Sequence, residues 1–248
     1  YSDEMRGEIV LGSNGDVYVS SSTLSTNFPT TAGSLATVAP AAQNACAFKL
    51  SSNLNTLLWS TYIGGTAADA GYAIKSSSNG NVYVTGGTLS TNFPVTAGTL
   101  SNANAGGADG FVIALSDVNG SMAASTYMGT ASYDQTYLIE IDGNNDIYVA
   151  GQTKGAYPVT GGVYSNPNSS QFIHKFNPGL TATGFSTVFG KGSNSSTDIS
   201  LTAFLVDNCQ NIYVSGWGGG TNNEGSTTGL PVTGNAYDNT TDGSDFYF

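Results

Sequence analysis

The stretch "NVYVTGGTLSTNFPVTAGTL", Asn81 to Leu100, decides how this chain is read, because "DVYVSSSTLSTNFPTTAGSL", Asp16 to Leu35, repeats it at a distance of 65 residues. The same interval recurs twice more. The centres "VYV", "VYV", "IYV" and "IYV" place Tyr18, Tyr83, Tyr148 and Tyr213 at successive steps of 65. An aromatic or apolar residue followed by proline trails each centre: Phe28-Pro29, Phe93-Pro94, Tyr157-Pro158 and Leu230-Pro231. Ahead of each centre stand "EIVLGS" from Glu8, "YAIKSS" from Tyr72, "YLIEID" from Tyr137 and "AFLVDN" from Ala203. After the proline come "CAFKLS" from Cys46, "GFVIAL" from Gly110, "QFIHKF" from Gln171 and "DFYF" from Asp245. Then follow "WSTYIGG" from Trp59, "ASTYMGT" from Ala124 and "FSTVFGK" from Phe185.

Each unit thus offers four strand-length segments, here lettered a to d in chain order. Asn14-Gly15 and Asn79-Gly80 join a to b in the first two units, and Asn-Gly is a strong hairpin signal because both residues tolerate positive φ. "DVNG", Asp117 to Gly120, joins c to d in the second unit. A four-stranded antiparallel meander repeated at this length is the pattern of a β-propeller blade. The predicted fold is all-β, with residues 1–248 forming about four blades: 1–65, 66–130, 131–192 and an incomplete 193–248 that stops inside strand c. With no d strand to complete the last blade, the chain is expected to form an arc of a larger ring or a piece of a longer protein. The Phe-Pro segment lies in a long b–c connection, where its ring is expected to wedge over a sheet edge.

Composition narrows the function. Only 9% of the 248 residues are charged, yet the net charge is −11, with six Lys and Arg in total. Such a chain has no basic patch to neutralise phosphate, so nucleic acid and anionic membranes are not expected partners. No apolar run approaches the ~20 residues of a membrane helix, and no signal peptide is visible at Tyr1–Glu4, as expected of an exported protein that has lost it or of an internal piece. Cys46 and Cys209 lack metal-ligand spacing. With three blades between their repeats, a bond between them is not expected, and either can pair outside this chain.

The ordered markers together resemble the SBBP-type β-propeller repeat, above all "GTAADAGYAIKSSSNGNVYVTGGTLSTNFPVTAG", "GGADGFVIALSDVNG" and "STYMG". "AFLVDNCQNIYVSGWGGG" followed by "GLPVTGNAYDNTTDGSDFYF" is similar to a variant found in very large secreted proteins of Bacteroidota. The resemblance implies an extracellular or cell-surface address, export by type IX secretion, further domains on a longer chain, and no catalytic residues.

Four groups of residues are candidates for a site. Glu4, Asp69, Asp134 and Asp198 precede strand a in the four units, 14, 14, 14 and 15 residues before the tyrosine. A ring of carboxylates would bind cations. Repetition in every unit favours instead a carboxylate that accepts backbone N–H bonds in the d–a loop, since chemistry needs a unique constellation. Asp142, Asn144 and Asp146 alternate as in a calcium loop but lack the later bidentate Glu, so calcium is the one cofactor to consider. His174, the only histidine, sits in "QFIHKF" with no nucleophile nearby in sequence and is expected to face solvent. Trp217 breaks the repeat, standing where the other units have Ser22, Gly87 and Gln152. It opens an insertion carrying Glu224 that lengthens the tyrosine-to-proline spacing from 10–11 residues to 18. Loops on a rigid scaffold are where binding residues sit, so Trp217 and Glu224 are the candidate contacts for a glycan or a cell-surface protein. The expected function is non-catalytic: a structural, adhesive or binding module. The alternative is a carbohydrate-active or glycan-binding propeller using that insertion.

Overall fold

The computed structural model describes residues 7–193, 197–218, 225–241 and 246–247. Among these there is no helix, and the strands form four antiparallel sheets. Blade one comprises β1 (Glu8–Leu11), β2 (Val17–Thr23), β3 (Asn44–Leu50) and β4 (Leu57–Ile63). Blade two comprises β5 (Asp69–Ser76), β6 (Asn81–Thr88), β7 (Asp109–Ser116) and β8 (Met122–Met128). Blade three comprises β9 (Asp134–Ile141), β10 (Ile147–Thr153), β11 (Gln171–Phe176) and β12 (Thr183–Phe189). Blade four has three strands, β13 (Ser200–Val206), β14 (Ile212–Trp217) and the two-residue β15 (Phe246–Tyr247). Strands pair in chain order within every sheet, and the four sheets form an open arc.

The a–b hairpins share one geometry, and it differs from the two-residue turn that Asn-Gly predicts. Gly12 N–H bonds Asp16 O, Ser77 N–H bonds Asn81 O, Asp142 N–H bonds Asp146 O and Asp207 N–H bonds Asn211 O. Only the residue before the last is left-handed: Gly15 at φ 82°, Gly80 at 84°, Asn145 at 64° and Gln210 at 65°. This is a three-residue loop, a type I turn closed by one αL residue. One αL position explains why Asn and Gln serve where glycine is absent.

Alternate residues of each strand face opposite neighbours, as a period of two requires. Tyr18, Ala45, Ala47 and Trp59 of blade one pack with Ile74, Val82, Val84 and Ile113 of blade two. Tyr83, Val112 and Met128 of blade two pack with Ile139, Val149 and Phe176 of blade three. Tyr148, Ala150 and Ile173 of blade three pack with Leu201, Phe204 and Val206 of blade four. The core is therefore a series of inter-blade layers, each built from one blade's outward face and the next blade's inward face. Tyr18, Tyr83 and Tyr148 are buried in these layers, whereas Tyr213 is exposed, because no further blade covers it among the described residues.

Strand a carries a bulge at Tyr72, Tyr137 and Thr202, opposite Gly86, Gly151 and Gly216. A Cβ on Gly86 would lie 1.9 Å from the carbonyl oxygen of Ala70, so only glycine lets the strands approach there. The b–c loop does not wedge its ring over a sheet edge. Phe93 is buried on the sheet face, 4.5 Å from Phe111 and 5.9 Å from Tyr127 between ring centres. The Tyr127 hydroxyl accepts from Phe93 N–H at 2.8 Å and donates to Ser90 O at 2.7 Å, which ties the first turn of the b–c loop to strand d. Tyr62 repeats this tie in blade one with Phe28 N–H at 2.9 Å and Ser25 O at 2.8 Å.

Candidate functional site

Of the repeated carboxylates, Asp69 and Asp134 open strand a, Asp198 lies two residues before it, and these three bond their own d–a loops. Asp69, Asp134 and Asp198 are fully buried. Each accepts the amide that follows the end of strand d: Gly65 N–H at 2.8 Å, Thr130 N–H at 2.6 Å and Lys191 N–H at 2.8 Å. Asp69 further accepts the Thr88 hydroxyl and the Ser90 hydroxyl, the latter at 3.0 Å. Asp134 accepts the Thr130 hydroxyl at 2.8 Å, and Asp198 faces Lys191 Nζ at 3.3 Å. Burial pushes the Asp69 carboxyl up to about 6 against these bonds and raises Asp134 as well. Glu4 lies outside the described residues.

Asp109, at the start of β7, is a fourth buried carboxylate that the repeat did not reveal. It accepts Ala105 N–H at 2.6 Å, and burial, with a smaller contribution from the Asp134 charge, pushes it up to about 6. Blade one has Asn44 in the same place, bonded to Ala41 N–H at 3.1 Å, so a search for repeated acids passes over it. The signal available was the polar residue opening strand c in both blades.

Among the described residues, the opposite end of the strands carries lysine-centred clusters at Lys49, Lys75 and Lys175, two of which, at Lys49 and Lys175, hold a repeat tyrosine. Lys49 Nζ lies 3.2 Å from Asp16 Oδ2 and 2.9 Å from Asp117 Oδ1, with the Tyr18 ring centre at 5.0 Å. Tyr18 OH donates to Asp117 Oδ1 at 2.7 Å, and Trp59 Nε1–H donates to Asp117 O at 3.0 Å. Asp117 belongs to the c–d turn of blade two, so this cluster clamps one blade to the next. Burial opposes the Lys49 charge, but bonds to Asp117, Tyr18 and Asp16 hold it above its ordinary value. A cleft of about 220 Å³ opens beside it, lined by Asn14, Tyr18, Ser77 and Asp117 among others.

The second cluster contains the calcium-like turn. Asp142 is buried and accepts Asn144 N–H at 2.9 Å and Asp146 N–H at 3.0 Å, while Asn144 is exposed. Lys175 Nζ stands 3.3 Å from Asp142 Oδ2 and 3.0 Å from Asp146 Oδ2, over the Tyr148 ring at 4.8 Å. Burial opposes the Asp142 charge, yet the two amides, with Tyr148 and Lys175, hold it below the usual carboxylate range. The turn thus has an internal cation within ion-pair distance of both acids. Among the described residues, no group of three or more His, Cys, Asp or Glu is arranged to hold a metal.

His174 does not face solvent. It is buried, with Nδ1 2.9 Å from the Tyr157 hydroxyl, Nε2 2.9 Å from the Thr183 hydroxyl, and its ring stacked 4.1 Å from Phe176. Its counterparts in blades one and two are Phe48 and Ile113, so the position is an apolar one. Burial lowers its pKa from 6.5 to about 4. Trp59 is fully buried beneath blade two, whereas Trp217, in β14 opposite Ser200, is half-buried. Glu224 lies outside the described residues. Both cysteines are free: Cys46 is buried, its thiol pushed up to about 11 by desolvation, and Cys209 is exposed in its turn.

Buried acids tied to loop amides, Lys49 locked between two blades and one strand order in every sheet are features of a repeated packing unit, and comparison with known families agrees. Residues 58–94 match the SBBP β-propeller repeat. The matched SBBP segment starts in β4, runs through the d–a loop with Asp69, and ends at Phe93-Pro94. It therefore spans the joint between two blades rather than one sheet. No curated protein matches the chain.

Proposed function

We propose that these blades are a non-catalytic structural or adhesive module of a large secreted or cell-surface protein. One observation carries the reading: among the described residues, the buried acids of the loops, the Lys49–Asp117 pair and the histidine each make bonds that hold a loop, a strand or a blade joint, although Asp109 Oδ1 and Asp134 Oδ1 have no partner. Asp69, Asp109 and Asp134 close loops, Asp117 joins Tyr18, Lys49 and Trp59 across a blade joint, and His174 is held by Tyr157 and Thr183. A general acid or base must instead reach a substrate proton. The resemblance of the sequence to large exported proteins of Bacteroidota supports an extracellular site, export by type IX secretion and attachment to further domains. Nucleic acid and direct insertion into a membrane are not part of this reading, given the net charge of −11.

The second reading is glycan or protein binding at the blade-four insertion. It is favoured by Trp217 being only half-buried beside a Gly-rich segment, where Trp59 is fully covered. Trp217→Ala combined with Glu224→Ala, in a glycan-array and cell-adhesion assay on the intact protein, separates the two. Binding lost with the fold preserved places the contact in the insertion, and undiminished binding removes it. Turnover of a polysaccharide by the purified blades would overturn the non-catalytic reading.

A further inference from the structure

At the rim that carries the a–b hairpins, the joint between blades one and two departs from the joint between blades two and three. At the later joint, the left-handed residue of the blade-three hairpin is Asn145. Its Oδ1 accepts the Ser77 hydroxyl at 2.6 Å and the Ser78 hydroxyl at 2.7 Å, which seals one hairpin against the next. At the earlier joint, the left-handed residue of the blade-two hairpin is Gly80, which has no side chain to offer. The blade-one counterparts of Ser77 and Ser78 are Gly12 and Ser13. In place of the seal stands the cleft of about 220 Å³, with Gly12 and Ser13 in one wall and Ser76 to Ser78 in the other.

The rest of the lining is also peculiar to this joint. At the later joint the Tyr83 hydroxyl donates to a backbone carbonyl, Pro178 O, at 2.9 Å. Here the Tyr18 hydroxyl meets a carboxylate, donating to Asp117 Oδ1 at 2.7 Å, and Lys49 Nζ bonds the same oxygen at 2.9 Å. Asp117 Oδ2 takes neither bond. A carboxylate, free hydroxyls and an open space therefore coincide at one joint and not at the next.

We propose that this cleft binds the terminal neutral sugar of a glycan. Its volume is below the roughly 300–1,000 Å³ of sites for drug-sized ligands, so the occupant is small. Its lining is mostly hydroxyl, amide and carboxylate, and Lys49 stands over the Tyr18 ring, so an apolar ligand gains little. Asp117 repels an anion. A cation is opposed by Lys49, which already pairs with that carboxylate. A neutral ring of hydroxyls satisfies both walls, donating to Asp117 Oδ2 and accepting from Ser13 and Ser76. Ser13, Asn14 and Ser78 are exposed, so the remainder of a glycan can leave towards solvent. With no open aromatic face to stack on, binding is weak, in the millimolar range. The site is independent of the blade-four insertion, and neither reading needs the other.

A ¹H–¹⁵N NMR titration of the 248-residue chain tests this, with the methyl glycosides of glucose, galactose, mannose and N-acetylglucosamine, and with glucuronic acid. The methyl group marks where a glycan would continue. At least one neutral glycoside should give saturable shifts, largest at Ser13, Asn14, Ser77, Ser78 and Asp117. Glucuronate should bind at least about tenfold more weakly, because its charge faces Asp117. Gly80→Asn restores the seal. A Cβ there meets nothing within 4 Å, and Asn145 holds the same left-handed conformation, so the rest of the spectrum should be unchanged while binding falls at least about tenfold. Ser13→Gln, at an exposed position, fills the cleft from the opposite wall and should act likewise. No saturable shift from any of the four glycosides, shifts centred elsewhere on the chain, glucuronate binding as tightly as the neutral sugars, or undiminished binding by both variants would each overturn the proposal.

Discussion

His174 gives the sharpest test of the interior, because it is the sole histidine and its resonances need no assignment. The structure buries the ring between two hydroxyls and against Phe176, with no carboxylate among its hydrogen-bond partners to stabilise a positive charge. Desolvation lowers its pKa from 6.5 to about 4. At about 1.4 kcal/mol per unit, that difference links to roughly 3 kcal/mol of folding free energy. The folded pKa lies below the unfolded one, so this stability is complete above pH 6.5, declines as the pH falls towards 4, and is fully lost below that. The imidazole Cε1–H shift should therefore titrate with a midpoint near 4. Chemical denaturation at pH 7.5 and pH 4 should show the wild type losing roughly 3 kcal/mol more than His174→Gln, which cannot titrate. A midpoint at or above 6.5, with equal losses in both proteins, would place the ring in water and refute the packing described for β11.

Asp69 works in the other direction. Its folded pKa, about 6, is above the ordinary 3.8, so its contribution is full below pH 3.8 and is lost as the pH rises through 6. Asp69→Asn should flatten the stability profile in that window, and an unchanged slope would show that the carboxyl is not desolvated. Gly86→Ala must push a Cβ against the Ala70 carbonyl, so thermal denaturation should show a loss of about 3 kcal/mol or more. Gly80→Ala meets nothing within 4 Å and should cost only about 1 kcal/mol, from its φ of +84°. Trp59→Ala empties a fully buried site between blades one and two and should cost roughly 3–5 kcal/mol in the same measurement.

The strands were legible because each blade must rewrite the same two faces, so Tyr18, Tyr83, Tyr148 and the Asn-Gly turns recur at a fixed step. The single αL residue per hairpin was not legible, because Asn-Gly suits turns of two lengths. His174 was readable in principle: it shares a strand face with Phe172 and Phe176, at positions where the other blades have Phe48 and Ile113. Its lone polar identity obscured that alternation. Asp109 was hidden because its counterpart in blade one is Asn44, which does the same work without charge. The clamp of Lys49, Tyr18 and Asp117 spans 99 residues from tyrosine to aspartate, and no local pattern encodes such a contact.

That clamp is also where the account can be tested most directly, since its central claim is that these polar side chains join blades. Tyr18 and Asp117 meet at 2.7 Å only if the c–d turn of blade two caps blade one. A double-mutant cycle of Tyr18→Phe and Asp117→Ala, read by equilibrium denaturation, should give a coupling energy of about 1–2 kcal/mol. A coupling indistinguishable from zero, with both single variants folded, would contradict the stacked-blade arrangement and the structural role assigned to its polar groups.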